Sequence, residues 1–177
     1  MRLANLSPQK ALLIASLLLY LGSLLFPAVE YDAMSSRPPT IASGAAHLWH
    51  DPVGQVQMAP GYFHLALGWV GLLLPPQFTP LGWLANPAYF LALLASRWGK
   101  VGLARCLAVG ALTLAAFSLV LVNLTPMRVL LHDPVPQFWS AIRPLAGYWL
   151  WLAAIVAMNG YAFSATSAAR LRERPVP

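Results

Sequence analysis

Residues 61–96 read GYFHLALGWVGLLLPPQFTPLGWLANPAYFLALLAS, and the number of times this stretch crosses a bilayer decides the fold. It holds two apolar runs, 62–74 and 81–96, separated by Pro75-Pro76-Gln77-Phe78-Thr79-Pro80, which cannot continue a helix. Either both runs cross, for five spans in all, or the first is a short surface or re-entrant helix, for four. A helix over 62–74 reaches only about 20 Å at 1.5 Å per residue, short of a roughly 30 Å hydrocarbon core.

Positive charge points the same way. With four spans and the N-terminus inside, the inner side carries Arg2, Lys10, Arg97, Lys100, Arg105, Arg170, Arg172 and Arg174, and the outer side only Arg37, Arg128 and Arg143. Eight basic residues against three is the bias that orients membrane proteins. With five spans the inner side keeps only Arg2, Lys10, Arg128 and Arg143, and the bias reverses. The expectation is therefore an all-α integral membrane protein forming one transmembrane domain over 1–177. It has spans at about 11–29, 81–96, 102–122 and 145–166, a short helix at about 62–74, and outer loops at about 30–60 and 123–144.

Composition agrees. Hydrophobic residues make up 59% of the 177 and charged residues 9%, against roughly 25% charged in soluble domains. The charges leave long gaps between Asp51 and Arg97, Arg105 and Arg128, and Arg143 and Arg170. A net charge of +6 would suggest nucleic acid in a soluble chain, but here the basic residues flank apolar runs and no basic stripe interleaves with aromatics. The run at 11–29 exceeds a secretory signal core and reads as a retained anchor. A single cysteine, Cys106, excludes an intrachain disulfide.

On this topology Glu30, Asp32, Asp51 and Asp133 all lie in the outer loops, and His47, His50, His64 and His132 lie there or on the short helix. Leu48-Trp49-His50-Asp51-Pro52-Val53-Gly54-Gln55 echoes Leu130-Leu131-His132-Asp133-Pro134-Val135-Pro136-Gln137, and Gly61-Tyr62 echoes Gly147-Tyr148. A duplicated half-protein is one reading of these echoes. Chemically, His47, His50, Asp51, His132 and Asp133 could hold a divalent metal if the loops meet, since imidazole and carboxylate are its usual ligands. The alternative is that each Asp-Pro pair starts a helix, the carboxylate capping free amides. No zinc motif is matched, and no cofactor is expected.

A second candidate is the string Gly82-Trp83-Leu84-Ala85-Asn86-Pro87 at the mouth of the second span. Pro87 removes a backbone donor, so Trp83, Asn86 and Pro87 mark either a pocket at a helix break or a helix start capped by Asn86. The tryptophans cluster near span ends, as an interfacial belt requires. Small residues recur every four positions at Gly102, Cys106 and Gly110, beside Ala104 and Ala108, and at Ala153 and Ala157; such rows let helices approach closely. No Asp, Glu or Lys falls within a span interior, which argues against a proton-coupled transporter. Nucleophile elbow, phosphate loop and Cys-X-X-Cys are all missing.

Gly68-Trp69, then Trp83-Leu84-Ala85-Asn86-Pro87, then a basic turn, then Gly147-Tyr148-Trp149-Leu150-Trp151 resembles a pattern of small bacterial four-helix membrane proteins. The resemblance implies a bacterial inner membrane and no particular chemistry. The expected function is a non-catalytic accessory, assembly or protective protein with both termini cytoplasmic. It meets the lipid bilayer and another membrane protein or a second copy of itself through its helix faces and outer loops. The alternatives are an outward-facing metal-dependent enzyme or ion-binding protein, and a small oligomeric channel or carrier lined by Asn86 and Asn159.

Overall fold

The computed structural model describes residues 7–34, 55–69, 79–124, 127–129 and 137–172. Helix α1, Pro8–Leu25, starts where Ser7 accepts from the Lys10 amide at 3.4 Å and Pro8 takes a position whose N–H needs no partner. Strand β1 spans Pro27–Met34 and β2 Gln55–Pro60, and α2, Gly61–Leu67, follows β2 directly. A 3-10 helix at Thr79–Leu84 runs into α3, Ala85–Arg97, and α4 covers Val101–Leu124. Strands β3, Met127–Val129, and β4, Gln137–Pro144, lead to α5, Ala146–Arg172. The turn between α3 and α4 closes on Gly99 at φ +70°, with the Gly99 and Lys100 amides donating to Ser96 and Ala95.

The fold is mostly helical. Helix α1 packs on α5, α5 on α4 and α4 on α3. The ring closes where Tyr20 of α1 stacks on Tyr89 of α3, centroids 4.8 Å apart, and Ser16 Oγ lies 2.8 Å from the Tyr89 hydroxyl. Among the described residues two helical segments, Pro8–Leu25 and Val101–Leu119, are long and apolar enough to cross a bilayer. Helix α3 is too short alone at 13 residues, and α5 is long enough but diluted by Asn159, Gly160 and Tyr161. Helix α2 has seven residues, about 10 Å, so it cannot span a bilayer.

The packing is inverted relative to a soluble bundle. The interior holds Ala85, Ala92, Ala95, Ala104, Ala108, Ala111, Ala115, Ala154 and Ala162 with Ser16 and Ser23 and, among larger side chains, Tyr20, Tyr89, Ile155 and Met158, while Leu18 is 64% exposed and Leu21 59%. Leu91, Leu103, Phe117, Val156 and Phe163 also point outward. Alanine seams let backbones approach closely, so dispersion and cross-helix hydrogen bonds hold the helices together. The inward row on α4 is Ala104, Ala108, Ala111 and Ala115. Gly102 and Cys106 of the expected row are exposed, and among the described residues nothing lies within 4 Å of a Cβ placed on Gly102 or Gly110.

The expectation of an all-α chain with two outer loops needs correction. Those regions contribute a four-stranded antiparallel sheet in the order β2-β1-β4-β3. In β1 the alternation Val29, Glu30, Tyr31 puts Val29 and Tyr31 into a small core with Ala28 and Ala59. Glu30, 7% exposed, sits opposite Arg143 of β4 and pairs with its guanidinium. The first helix correspondingly ends earlier than expected. Helix α1 stops at Leu25, and residues through Val29 already belong to the strand.

The sheet is joined to the bundle at the end of α1. A Cβ on Gly61 would lie 2.1 Å from the Ser23 carbonyl oxygen, and one on Gly147 2.5 Å from that of Phe26. Only glycine allows this approach. The Gly61 amide donates to Phe26 and the Leu145 amide to Ala28, so α2 and α5 both start against the α1–β1 junction. The echoed Gly-Tyr pairs thus take comparable places on either side of that junction, although Tyr62 is exposed and Tyr148 buried.

Candidate functional site

A cavity of about 180 Å³ lies where the bundle meets the sheet. Tyr20, Ser23 and Leu24 from the last turns of α1 and Ala28, Val29 and Tyr31 from β1 form one wall. His64 and Leu65 of α2 form a second, and Gly82 and Trp83, Asn86 of α3, Ser118 of α4 and Gly147, Tyr148 and Trp151 of α5 complete it. Among the described residues, no charged side chain lines this space.

Asn86 is the polar centre of the lining. Its Oδ1 accepts from the Tyr20 hydroxyl at 2.9 Å and from Trp151 Nε1 at 2.8 Å, tying α1, α3 and α5 together. Both lone pairs of that carbonyl oxygen are thereby used. Asn86 does not cap α3, which starts without a side-chain cap, and Pro87 falls in the first turn, where its missing amide leaves no gap in the helix ladder. The change from 3-10 to α geometry occurs just before it, at Leu84–Ala85. Trp83 donates from Nε1 to the Leu65 carbonyl at 2.9 Å, and its ring fills the place a side chain on Gly68 would occupy.

On the opposite wall the Tyr148 hydroxyl and Ser118 Oγ both donate to the Ala115 carbonyl, at 2.6 and 2.7 Å, bracing α5 against α4. Asn159, the other polar residue expected to line a path, donates to the Ala108 carbonyl at 2.9 Å and to Ile155 at 3.0 Å. Its amide braces two helices.

His64 stands apart. Its ring stacks on Tyr31 with centroids 5.9 Å apart, and its Nε2 is buried with no hydrogen-bond partner. Burial lowers its pKa to about 4, so the ring is neutral at pH 7. Burial likewise pushes the Tyr31 phenol above its ordinary range. A buried polar atom without a partner costs about 1–3 kcal/mol and calls for an explanation.

Of the residues singled out in the sequence, Trp83 and Asn86 line the cavity and Pro87 lies one position beyond. His47, His50, Asp51, His132 and Asp133 lie outside the described residues. Among the described residues no three His, Cys, Asp or Glu side chains group as metal ligands. Tyr148 and Trp151 belong to the Gly147–Trp151 string noted in the sequence, whereas Tyr20, His64 and Ser118 were not picked out by motif as parts of one site. The one available signal was His64 itself, a titratable residue inside an uncharged apolar run.

Comparison with protein-family models, curated proteins and solved structures finds no match.

Proposed function

We propose that the chain is a four-span protein of the bacterial inner membrane, with both termini cytoplasmic, that works without catalysis by holding a small molecule in the cavity at the outer end of its bundle. The observation that carries this reading is convergence. Gly68, Gly82, Trp83, Asn86, Gly147, Tyr148 and Trp151, scattered over three separate stretches of sequence, surround one space. Membrane insertion is supported by the inverted packing, since outward Leu18, Leu21, Leu103 and Phe117 suit lipid and would expose a large apolar surface to water. The charge asymmetry supports the orientation.

The sheet then caps the outer end of the bundle and forms one wall of the cavity. Val56 and Met58 of β2 are exposed on it, which favours the accessory role: a surface that reports occupancy to a partner protein.

Native mass spectrometry of protein released from lipid nanodiscs tests the reading. A low-mass molecule should remain with the folded chain, and Ala28→Phe, which fills the cavity from β1, should lose it. Recovery of the wild-type chain free of any such molecule, or retention in the filled variant, would count against it.

A further inference from the structure

We infer that the cavity takes a neutral, largely apolar molecule bearing a carbonyl oxygen, and that the side-chain amide nitrogen of Asn86 is the donor that holds it. The inference rests on the ligand-binding reading above and names the ligand's chemistry.

The direction of the amide is fixed first. An indole N–H can only donate, so the atom that Trp151 Nε1 meets at 2.8 Å is the Asn86 oxygen. The Tyr20 hydroxyl donates to the same oxygen at 2.9 Å, which leaves the NH2 group at the other position.

That NH2 group is free. Among the described residues Asn86 Nδ2 has no hydrogen-bond partner, and unlike His64 Nε2, which is enclosed, it keeps accessible surface. Asn86 is only 8% exposed and lines the cavity, so the surface left to it faces that space.

The other side chains on the wall impose no such demand. Ser23, Ser118 and Tyr148 donate their hydroxyl protons to main-chain carbonyls, and Trp83 donates to Leu65. The neutral His64 ring, through Nδ1, donates or accepts with its tautomer and fits either kind of ligand group. Asn86 has a fixed polarity and requires an acceptor.

A carbonyl oxygen supplies that acceptor without bringing a proton that must itself be satisfied in an apolar site. No charged side chain occurs among the described lining residues, so an ionised ligand would lose its hydration with nothing in return. Leu24, Val29 and Leu65, with the rings of Tyr20 and Trp83, suit an apolar body. The cavity is open on one side, so it selects the group that enters and not the length of the molecule behind it.

The test uses the full chain in nanodiscs and fluorine NMR titrations of 4-fluoroacetophenone and 1-ethyl-4-fluorobenzene, which match in shape and differ in the carbonyl. 4-Fluorobenzoate is the charged probe, and empty nanodiscs are the partition control. After correction for partition the ketone should bind about three- to tenfold tighter than the ethyl compound, as one net hydrogen bond allows. Asn86→Asp at pH 8 keeps an oxygen for Tyr20 and Trp151 but removes the NH2 donor, and the preference should vanish. A readout without substitution is the Asn86 NH2 signal in protein carrying nitrogen-15 asparagine: the ketone should move it downfield and the ethyl compound should not.

Equal corrected affinities would mean that water suffices for Nδ2, and would overturn the carbonyl assignment. So would a preference that survives in Asn86→Asp, an unmoved Asn86 signal at ketone saturation, tightest binding by the benzoate, or no saturable binding by any probe. Once the preference is established, the same signal without probe gives the source of the natural carbonyl. A difference between nanodiscs of diester and diether phospholipids identifies a lipid ester, and no difference identifies a separate molecule. If the carbonyl assignment fails while the chain still retains a low-mass molecule from the cell, the broader reading stands; if it retains none, both fail.

Discussion

Asn86 shows how one amide organises a helix bundle. Its carbonyl oxygen is the acceptor for two buried donors on two other helices. Replacing it by alanine leaves the Tyr20 hydroxyl and the Trp151 indole without their acceptor, at about 1–3 kcal/mol each if neither finds another. Asn86→Ala is therefore expected to lower the detergent thermal-unfolding midpoint markedly, while Asn86→Asp, which keeps an acceptor there, should lower it less. His64 makes a pH-dependent contribution of definite sign. The folded protein holds it with a pKa near 4, below the unfolded value of 6.5. Between those values the unfolded chain binds more protons, so stability is full above about pH 6.5 and falls as the pH drops toward 4. Thermal unfolding across pH 4–7 should show this slope, and His64→Phe should flatten it.

The elements are set by different kinds of signal. Helices α1 and α4 follow from uninterrupted apolar length, and the short helix α2 is confined by Pro60 before it and Gly68-Trp69 after it. The strands are marked by period two: Val29-Glu30-Tyr31-Asp32-Ala33 alternates, as does Gln55-Val56-Gln57-Met58. That alternation is present in the sequence but lies in segments that read as outer loops on a four-span topology. Pairing explains why it counts. Strand β1 is flanked on both sides by strands whose partners arrive from about 25 and 110 residues away in the chain, a long-range condition that no local window contains. The junction between strand and helix also gives a sharp test. Because a Cβ on Gly147 would strike the Phe26 carbonyl, Gly147→Val should displace α5 from the α1–β1 junction. Proteolysis of the outer segments should then quicken and ligand retention drop, whereas Gly102→Ala, in open space, should leave both unchanged.

For the molecule as a whole, the distribution of size is the informative feature. Alanines dominate the inward faces around a few larger side chains such as Tyr89, Ile155 and Met158, while most large apolar residues point outward, an arrangement that suits lipid and lets the helices approach closely. Enlarging the seam should therefore damage it more than trimming the outside: Ala108→Leu is expected to destabilise by about 1–3 kcal/mol through overpacking, and Leu18→Ala by much less. Sidedness is tested in a Cys106→Ser background. Gln57→Cys on β2, exposed at the sheet, should react with an impermeant maleimide in intact spheroplasts, and Lys100→Cys, in the α3–α4 turn, only after permeabilisation. Labelling in the reverse order would invert the topology.

Sequence alone determined what depends on local length and on sums over the chain. Helix count, the shortness of the 62–74 segment, the bias of positive charge and the choice of Trp83 and Asn86 as notable all follow from composition and spacing. Tertiary structure decided what depends on meetings between distant segments. It joined parts of the two expected outer loops into one sheet, separated the inward alanine row on α4 from the exposed Gly102 and Cys106, made Asn86, which the sequence allowed as a cap or a pocket residue, an acceptor for two other helices, and left His64 Nε2 buried without a partner. The physical reason is common to all four. A hydrogen bond or a close contact belongs to two residues at once, and the second lies tens of positions away, where no periodicity of the first can indicate it.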